Sequence, residues 1–177
     1  MPGPVFIAGD HVTLHPVEDE DFDDIQRDMN DVRIRFPGGG PNGPEDSERV
    51  ESFIEGFRDG DDVALLVRRG SEYAGLVTVE VNSQRRVGSL GLWITPQAQG
   101  SGVGREACEL LFDWLFDQYG LHKVTARVFA FNDASLALVT SLGFTEEGVH
   151  RDERYANGEF HDAHYFGLLA DEWRERE

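Results

Sequence analysis

Residues 94–111 read ITPQAQGSGVGREACELL: a Thr-Pro break, glycines at 100, 102 and 104, then a run with helical periodicity. Glycine lacks a Cβ, so its backbone N–H can approach a ligand where a side chain would stand in the way. Alternating glycines directly before an amphipathic helix aim several N–H groups at one point, where the helix dipole is positive. That pattern predicts an anion site. No Gly-Lys-Ser/Thr follows, so it is not a Walker A loop, and an NTPase is disfavoured. The spacing is not G-x-G-x-x-G either, and the opening βαβ unit of a dinucleotide fold is missing. An oligophosphate cradle of backbone N–H groups remains, with a plain strand-to-helix turn as the other reading. Arg105, in the first helical turn, runs against the dipole's preference and is understandable if it meets a phosphate.

Working outward, VGSLGLWI (87–94) is a strand whose glycines suggest a bulge or a close backbone approach. Val103, Ala107, Leu110, Leu111, Trp114 and Leu115 form one apolar face of a helix over 103–119, stopped by Gly120. Cys108 sits beside that face as a packing residue rather than a nucleophile. Downstream lie a strand, KVTARVF (123–129), and a short helix that opens at Asn132 and ends at Gly143. Asn157-Gly158 between two alternating runs is a hairpin signal. Upstream, HVTLHPV (11–17) alternates like a strand, and 18–31 carries Phe22, Ile25 and Met29 at helical spacing. The stretch 36–46, FPGGGPNGPED, reads as a mobile loop without regular structure. Asp46 or Ser47 caps a helix through Phe57, and 62–69 with 72–81 form a hairpin. This order, with meandering strands before helix crossovers, predicts a mixed α/β sheet in a single domain spanning 1–177.

Composition narrows the function classes. The 177 residues are 40% hydrophobic and 11% aromatic, the profile of a globular chain. Asp plus Glu number 34 against 16 Lys plus Arg, a net charge of −18, and Lys123 is the single lysine. Such a field repels nucleic acid and anionic membrane and attracts polycations. An acidic, lysine-poor surface also stays soluble at high salt, and a halophilic source is the simpler explanation. No apolar run reaches the ~18 residues of a membrane span. The N-terminal MPGPVFIAGDHVTLHP lacks the basic and apolar parts of a secretory signal, and one cysteine forms no internal disulfide. A cytoplasmic protein is expected. His161 and His164 point to opposite faces of a strand, so no metal is expected there, and His11 and His15 are expected at the surface.

Two further signatures then join the glycine loop. Gln99-x-x-Gly102-x-Gly104 follows a strand ending in Trp93-Ile94, and Asn132-x-x-Ser135 leads to Ser141-Leu142-Gly143-Phe144. In that order they resemble the acetyl-CoA loop and the Asn-x-x-Ser helix of the GCN5-related N-acetyltransferases (GNAT). The tail TEEGVHRDERYANGEFHDAHYFGLL resembles the ribosomal-protein N-terminal acetyltransferase branch, the RimJ/RimL-like group. The likeness covers residues 9–175. It implies an α/β fold with a mixed, mostly antiparallel central sheet of about seven strands flanked by helices, with one splayed strand pair. It implies acetyl-CoA as co-substrate, no metal, a primary amine as acceptor, direct transfer in a ternary complex, and compatibility with a homodimer.

The resemblance also assigns roles. The amides of Gln99, Gly100, Ser101, Gly102, Val103, Gly104 and Arg105 hold the pyrophosphate. The pantetheine arm pairs with the backbone at Leu92, Trp93 and Ile94 in the gap beside strand 123–129, and Asn132 contacts it. The strand N–H at Leu92 polarises the thioester carbonyl, a role worth ~3 kcal/mol in other enzymes.

The chain departs from the wider pattern at two points. The tyrosine that protonates the departing thiolate in many members is replaced by Val139, and the branch's donor is the Ser of Asn-x-x-Ser, here Ser135. Helix capping is the other reading of that serine. The usual glutamate on the strand before the loop is Ser89. Glu80 on the neighbouring strand is the first alternative as base, followed by Asp152 and Glu153, or a water relay to a remote carboxylate. A base is needed because alkyl amines are protonated at neutral pH, whereas an α-amine with pKa near ~8 needs less help. The acceptor implied is a protein N-terminus or a small molecule such as a polyamine or aminoglycoside. Loss of both usual catalytic residues leaves a second reading, a non-catalytic acyl-CoA-binding module.

Overall fold

The computed structural model describes residues 3–40 and 43–176. One eight-stranded sheet organises them, in the order β1-β2-β3-β4-β5-β6-β8-β7. The strands are β1 (Ile7–Ala8), β2 (Val12–Pro16), β3 (Val63–Arg69), β4 (Glu72–Asn82), β5 (Val87–Ile94), β6 (Lys123–Phe129), β7 (Thr145–Ala156) and β8 (Glu159–Leu169). Every neighbouring pair is antiparallel except β5 and β6. The eighth strand is the two-residue β1, too short to leave a period in the sequence.

The parallel pair sets up the site. β5 and β6 are in register only at Val87↔Lys123, Gly88↔Val124 and Ser89↔Thr125. Beyond Ser89, β5 stays paired to β4 up to Gly75↔Ile94, while β6 stays paired to β8 up to Phe129↔Ala163. The two strands therefore part like a V. The β4–β5 ladder runs unbroken, so the glycines of β5 serve close approach and not a bulge. A Cβ on Gly88 would fall 2.5 Å from Val79 Cγ1, and one on Gly91 would meet Thr78 Oγ1.

Helices cover both faces. On one face, α4 (Val103–Trp114), its π-helical continuation Leu115–Tyr119 and α5 (Asp133–Ser141) enclose the larger core around Val77, Val79, Leu111, Phe112, Val124 and Leu168. Gly120 ends this helix with φ 84°. Glu106 on α4 fastens the opposite edge, accepting the His11 and Val12 amides at 2.8 and 3.1 Å. On the other face, α1 (Phe22–Asn30) and α3 (Ser47–Arg58) pack Ile25, Val50 and Ile54 onto Leu66 and Leu76. Asp46 caps α3 by accepting the Arg49 amide at 3.0 Å. The chain closes with α6 (Ala170–Arg174).

Two expectations are corrected. The stretch 36–46 is not wholly irregular: α2 (Val32–Gly38) runs through Pro37 and ends at Gly39, φ 70°. Asp31 caps it through the Arg33 amide at 2.9 Å, and Phe36 stacks on Phe131 with centroids 4.9 Å apart. Those tertiary contacts outweigh the breakers that local reading weighed; residues 41–42 lie outside the described part. His15 is buried, not at the surface, with its ring nitrogens 2.8 Å from Gly3 O and Thr13 Oγ1. Cys108 is fully buried, and burial pushes its thiol up to about 12. No helix among the described residues is long and apolar enough to cross a membrane.

Candidate active site

The V between β5 and β6 opens into a cleft of about 700 Å³. Its lining includes Glu80, Leu92, Trp93, Ile94, Gln99, Gly100, Gly102, Val103, Gly104, Arg105, Asn132 and Ser135. Of the residues named from the sequence, Ser101 is outside the lining, its hydroxyl donating to Ala98 O at 2.6 Å. Asp152, with φ 53°, and Glu153, both named as alternative bases and both at a register shift in β7, are exposed and also outside it.

The donor end is built by the glycine loop. Gly102, φ 83°, is the N-cap of α4, and Gly104 packs where a Cβ would lie 3.2 Å from Ile94 Cγ1. The amides of residues 100–105 find no acceptor among the described residues. Unpaired N–H groups at a helix N-terminus are the chemistry of an anion site. Arg105, paired to Glu109 at 2.9 Å, adds a cation beside them.

Ser135 and Asn132 stand opposite the loop, on α5. Asn132 Oδ1 accepts the Ser135 amide at 3.2 Å, and its Nδ2 donates to Pro37 O at 3.1 Å. Asn132 thus caps α5 and ties α2 to the cleft. The Ser135 hydroxyl is not part of the cap, and it makes no hydrogen bond among the described residues.

Strand alternation separates two halves. Leu90, Leu92 and Ile94 face α4, whereas Ser89, Gly91 and Trp93 face α1 and α2, as do Glu80, Arg127 and Tyr165 through their cross-strand registers. On this second half Glu80 is exposed and opposite Ser89. Trp93 is fixed from behind: its Nε1 donates to Asp28 Oδ2 at 3.1 Å, and Tyr73 Oη donates to the same oxygen at 2.8 Å. Burial raises the Asp28 carboxyl above its ordinary value against those two hydrogen bonds. Burial, with Asp28 beside it, also raises the Tyr73 phenol.

Arg127 and Tyr165, cross-strand partners that also line the cleft, were not singled out by sequence reasoning. Tyr165 Oη donates to Glu153 at 2.8 and 3.0 Å, His150 Nδ1 is 2.7 Å from the same carboxylate, and Arg127 Nη1 is 3.5 Å away. The Tyr165 hydrogen bond, then His150 and Arg127, hold Glu153 below the usual carboxylate range. Burial and Glu153 raise the Tyr165 phenol. Knowing that β6 pairs with β8 would have placed these side chains on one face; the sequence alone carried no such pairing. Among the described residues, no group of three or more His, Cys, Asp or Glu side chains is placed to hold a metal ion.

Residues 11–145 match the model of the Acetyltransferase (GNAT) domain family. The chain belongs to the GNAT acetyltransferases. It is similar to the Bacillus subtilis (strain 168) protein named "Putative ribosomal N-acetyltransferase YdaF", 33% identical over 100 residues, 56% of this chain and 55% of that one. It is also 29% identical over 161 residues to spermidine N(1)-acetyltransferase of Escherichia coli (strain K12), covering 86% of this chain and 82% of that one. The fold superposes on a crystal structure of spermidine N-acetyltransferase from Vibrio cholerae in complex with CoA and spermine with a TM-score of 0.87. That match is 24% identical and covers 93% of this chain and 99% of the other. The GNAT protein is an acetyl-CoA-dependent N-acetyltransferase, and its splayed, mostly antiparallel sheet is the expected one.

Proposed function

We propose that this GNAT protein transfers the acetyl group of acetyl-CoA directly to the α-amine of a protein N-terminus, within a ternary complex. The observation that carries the donor half is the set of unpaired amides at residues 100–105 at the mouth of the V-shaped gap. The amides of residues 100–105 hold the pyrophosphate; that of Gln99, expected to join them, is instead donated to Thr95 O at 3.1 Å. The pantetheine arm lies in the gap beside Leu92, Trp93 and Ile94, with Asn132 across from it, and the Leu92 N–H polarises the thioester carbonyl. Holding amine and thioester together supplies much of the rate. Glu80 accepts a proton from the amine, and Ser135 protonates the thiolate as the C–S bond breaks.

The acceptor half favours an α-amine over a polycation. Among the described residues lining the cleft Glu80 is the one carboxylate, and Arg33 and Arg127 are already ion-paired, with Asp31 at 2.6 Å and Glu153 at 3.5 Å. A polyamine such as spermidine would find no second carboxylate there for its other amines. An α-amine also ionises near ~8, so a single exposed carboxylate is an adequate base.

A CoA-release assay with short peptides bearing free α-amines, spermidine and an aminoglycoside tests the reading. Peptides should give the highest kcat/KM. Faster turnover of spermidine would move the acceptor to polyamines, and tight acetyl-CoA binding with no turnover at all would leave a non-catalytic acyl-CoA-binding module.

We also infer a halophilic setting from the charge of −18 and the single lysine, and a cytoplasmic one from the single cysteine. Self-repulsion is screened over ~3 Å at 1 M salt. The melting temperature should therefore rise steeply from about 0.1 M to about 1 M KCl; a flat salt dependence would remove this inference.

A further inference from the structure

We infer that Tyr165 is a docking residue for the incoming acceptor substrate, and that Glu153 is the positioning residue that makes it one. This rests on the transferase reading above and adds a contact to it.

A phenol has one proton to donate and lone pairs with which to accept. Tyr165 spends its proton on Glu153, whose two oxygens lie 2.8 and 3.0 Å from Oη. Glu153 is itself held from two other sides, by His150 Nδ1 at 2.7 Å and by Arg127 Nη1 at 3.5 Å. The His150 ring also lies against the Tyr165 ring, with centroids 4.1 Å apart. The phenol is therefore fixed with its proton turned away from the cleft that Tyr165 lines. Toward the cleft it presents lone pairs and no proton, with the Arg127 guanidinium beside it. The carboxylate behind it increases the electron density on that oxygen, as hydrogen bonds in a chain polarise one another.

A group that can only accept selects a ligand that donates. The acceptor substrate brings N–H groups to this face, whereas the thioester carbonyl and the pyrophosphate bring none and the pantetheine amides pair with the β5 backbone in the reading above. Glu80 stands on the same face of the sheet, one strand beyond β5, and Tyr165 on the far side of β6. Three strand spacings of about 4.8 Å separate β4 from β8, so an acceptor lying across them donates an N–H of its reacting amine to Glu80 and a second N–H, from the adjoining part of the molecule, to Tyr165. The amine's lone pair is freed toward the thioester once Glu80 has taken the ammonium proton. As the N–C bond forms, the C–S bond breaks and the thiolate leaves, as in the proposed reaction. Tyr165 keeps its own proton throughout.

Steady-state kinetics on Tyr165→Phe, Glu153→Ala and Glu153→Gln test this, with a short free-α-amine peptide and with spermidine as acceptors. A hydrogen bond to a charged or polarised group is worth about a tenfold change or more in binding. Tyr165→Phe should raise the KM of the better acceptor by about that factor and leave the acetyl-CoA Kd within about twofold. Glu153→Ala should do the same, because the phenol is then free to turn its proton into the cleft. Glu153→Gln should retain most of the affinity, since its amide oxygen still accepts the phenol proton. An unchanged acceptor KM in Tyr165→Phe overturns the docking assignment. Equal damage from Glu153→Gln and Glu153→Ala overturns the positioning role. If the wild-type protein binds acetyl-CoA and acetylates neither acceptor, the transferase reading itself fails and this assignment falls with it.

Discussion

Asn132 accepts the backbone N–H of Ser135 at 3.2 Å, and this single contact separates a structural role from a chemical one. The cap of α5 belongs to Asn132, so the Ser135 hydroxyl at the cleft wall is free for the thiolate. Ser135→Ala should leave thermal stability within about 0.5 kcal/mol, the range of a substitution that breaks no cap or core contact. Its kcat should fall on the order of 10-fold to 100-fold, less than a full general-acid effect because a thiolate leaves readily. Asn132→Ala should instead cost about 1 kcal/mol of stability, the usual loss of an N-cap. Unchanged kcat in Ser135→Ala, measured with saturating acetyl-CoA, removes the proton donor.

Gly75 fixes the strand that carries the donor. It pairs with Ile94 and has φ 153°, and a Cβ there would land on the carbonyl oxygen of Trp93. No side-chain rotation relieves a clash with backbone, so Gly75→Ala must shift β5 where Trp93 and Ile94 line the cleft. The expected cost is about 2–3 kcal/mol, as for other forced overpacking. That lowers the melting temperature by roughly 4–12 °C for a chain of this size. A melt within about 1 °C of wild type would show that the β4–β5 ladder yields more easily than its geometry implies.

Glu106 predicts an acid-side loss of stability. Burial pushes its carboxyl up, but the His11 and Val12 amides and the His11 imidazole hold it below its ordinary 4.5. A carboxylate with a depressed folded pKa stabilises the fold above its unfolded pKa, and the contribution is lost as pH falls through the folded value. Glu106→Gln should therefore be less stable than wild type at pH 7 by about 1 kcal/mol, the low end for a charged acceptor that is partly solvent-facing. The difference should shrink below about pH 4.5, as both proteins come to carry a neutral side chain. Urea unfolding across this range measures it, and a gap that stays constant with pH would assign the effect to packing alone.

How legible this was depends on whether the physics is local. Strand β5 is the predicted 87–94, and α4 starts at the predicted Val103, because alternation, a helical apolar face and glycine punctuation act within a few residues. The Asn157-Gly158 hairpin turn has both residues at positive φ, 51° and 88°, as that dipeptide permits. By contrast, α2 exists through Phe36 on Phe131 and Pro37 on Asn132, contacts 95 residues away in sequence. No local pattern announces them. Likewise Tyr165 reaches the cleft only because β8 inserts between β6 and β7, a pairing that neither residue type nor spacing encodes. Glu80, named from its position on the strand next to β5, does line the cleft, since adjacency in a hairpin is local.

The glycine loop yields the sharpest test of the donor site. Gly102 sits at φ 83° with open space where a Cβ would point, so Gly102→Ala introduces no clash. Its cost is conformational: a non-glycine residue in the left-handed region loses roughly 1–2 kcal/mol. The loop relieves that strain by turning the peptide units on either side, which re-aims the amides of Gly102 and Val103. If those amides hold the pyrophosphate, the acetyl-CoA Kd should rise about 5-fold to 30-fold, the factor that corresponds to the same energy. The amine KM should not change. Calorimetry on Gly102→Ala with acetyl-CoA decides it: a wild-type Kd with a lowered melting point would mean that the loop is a turn before a helix and that the anion is held elsewhere in the cleft.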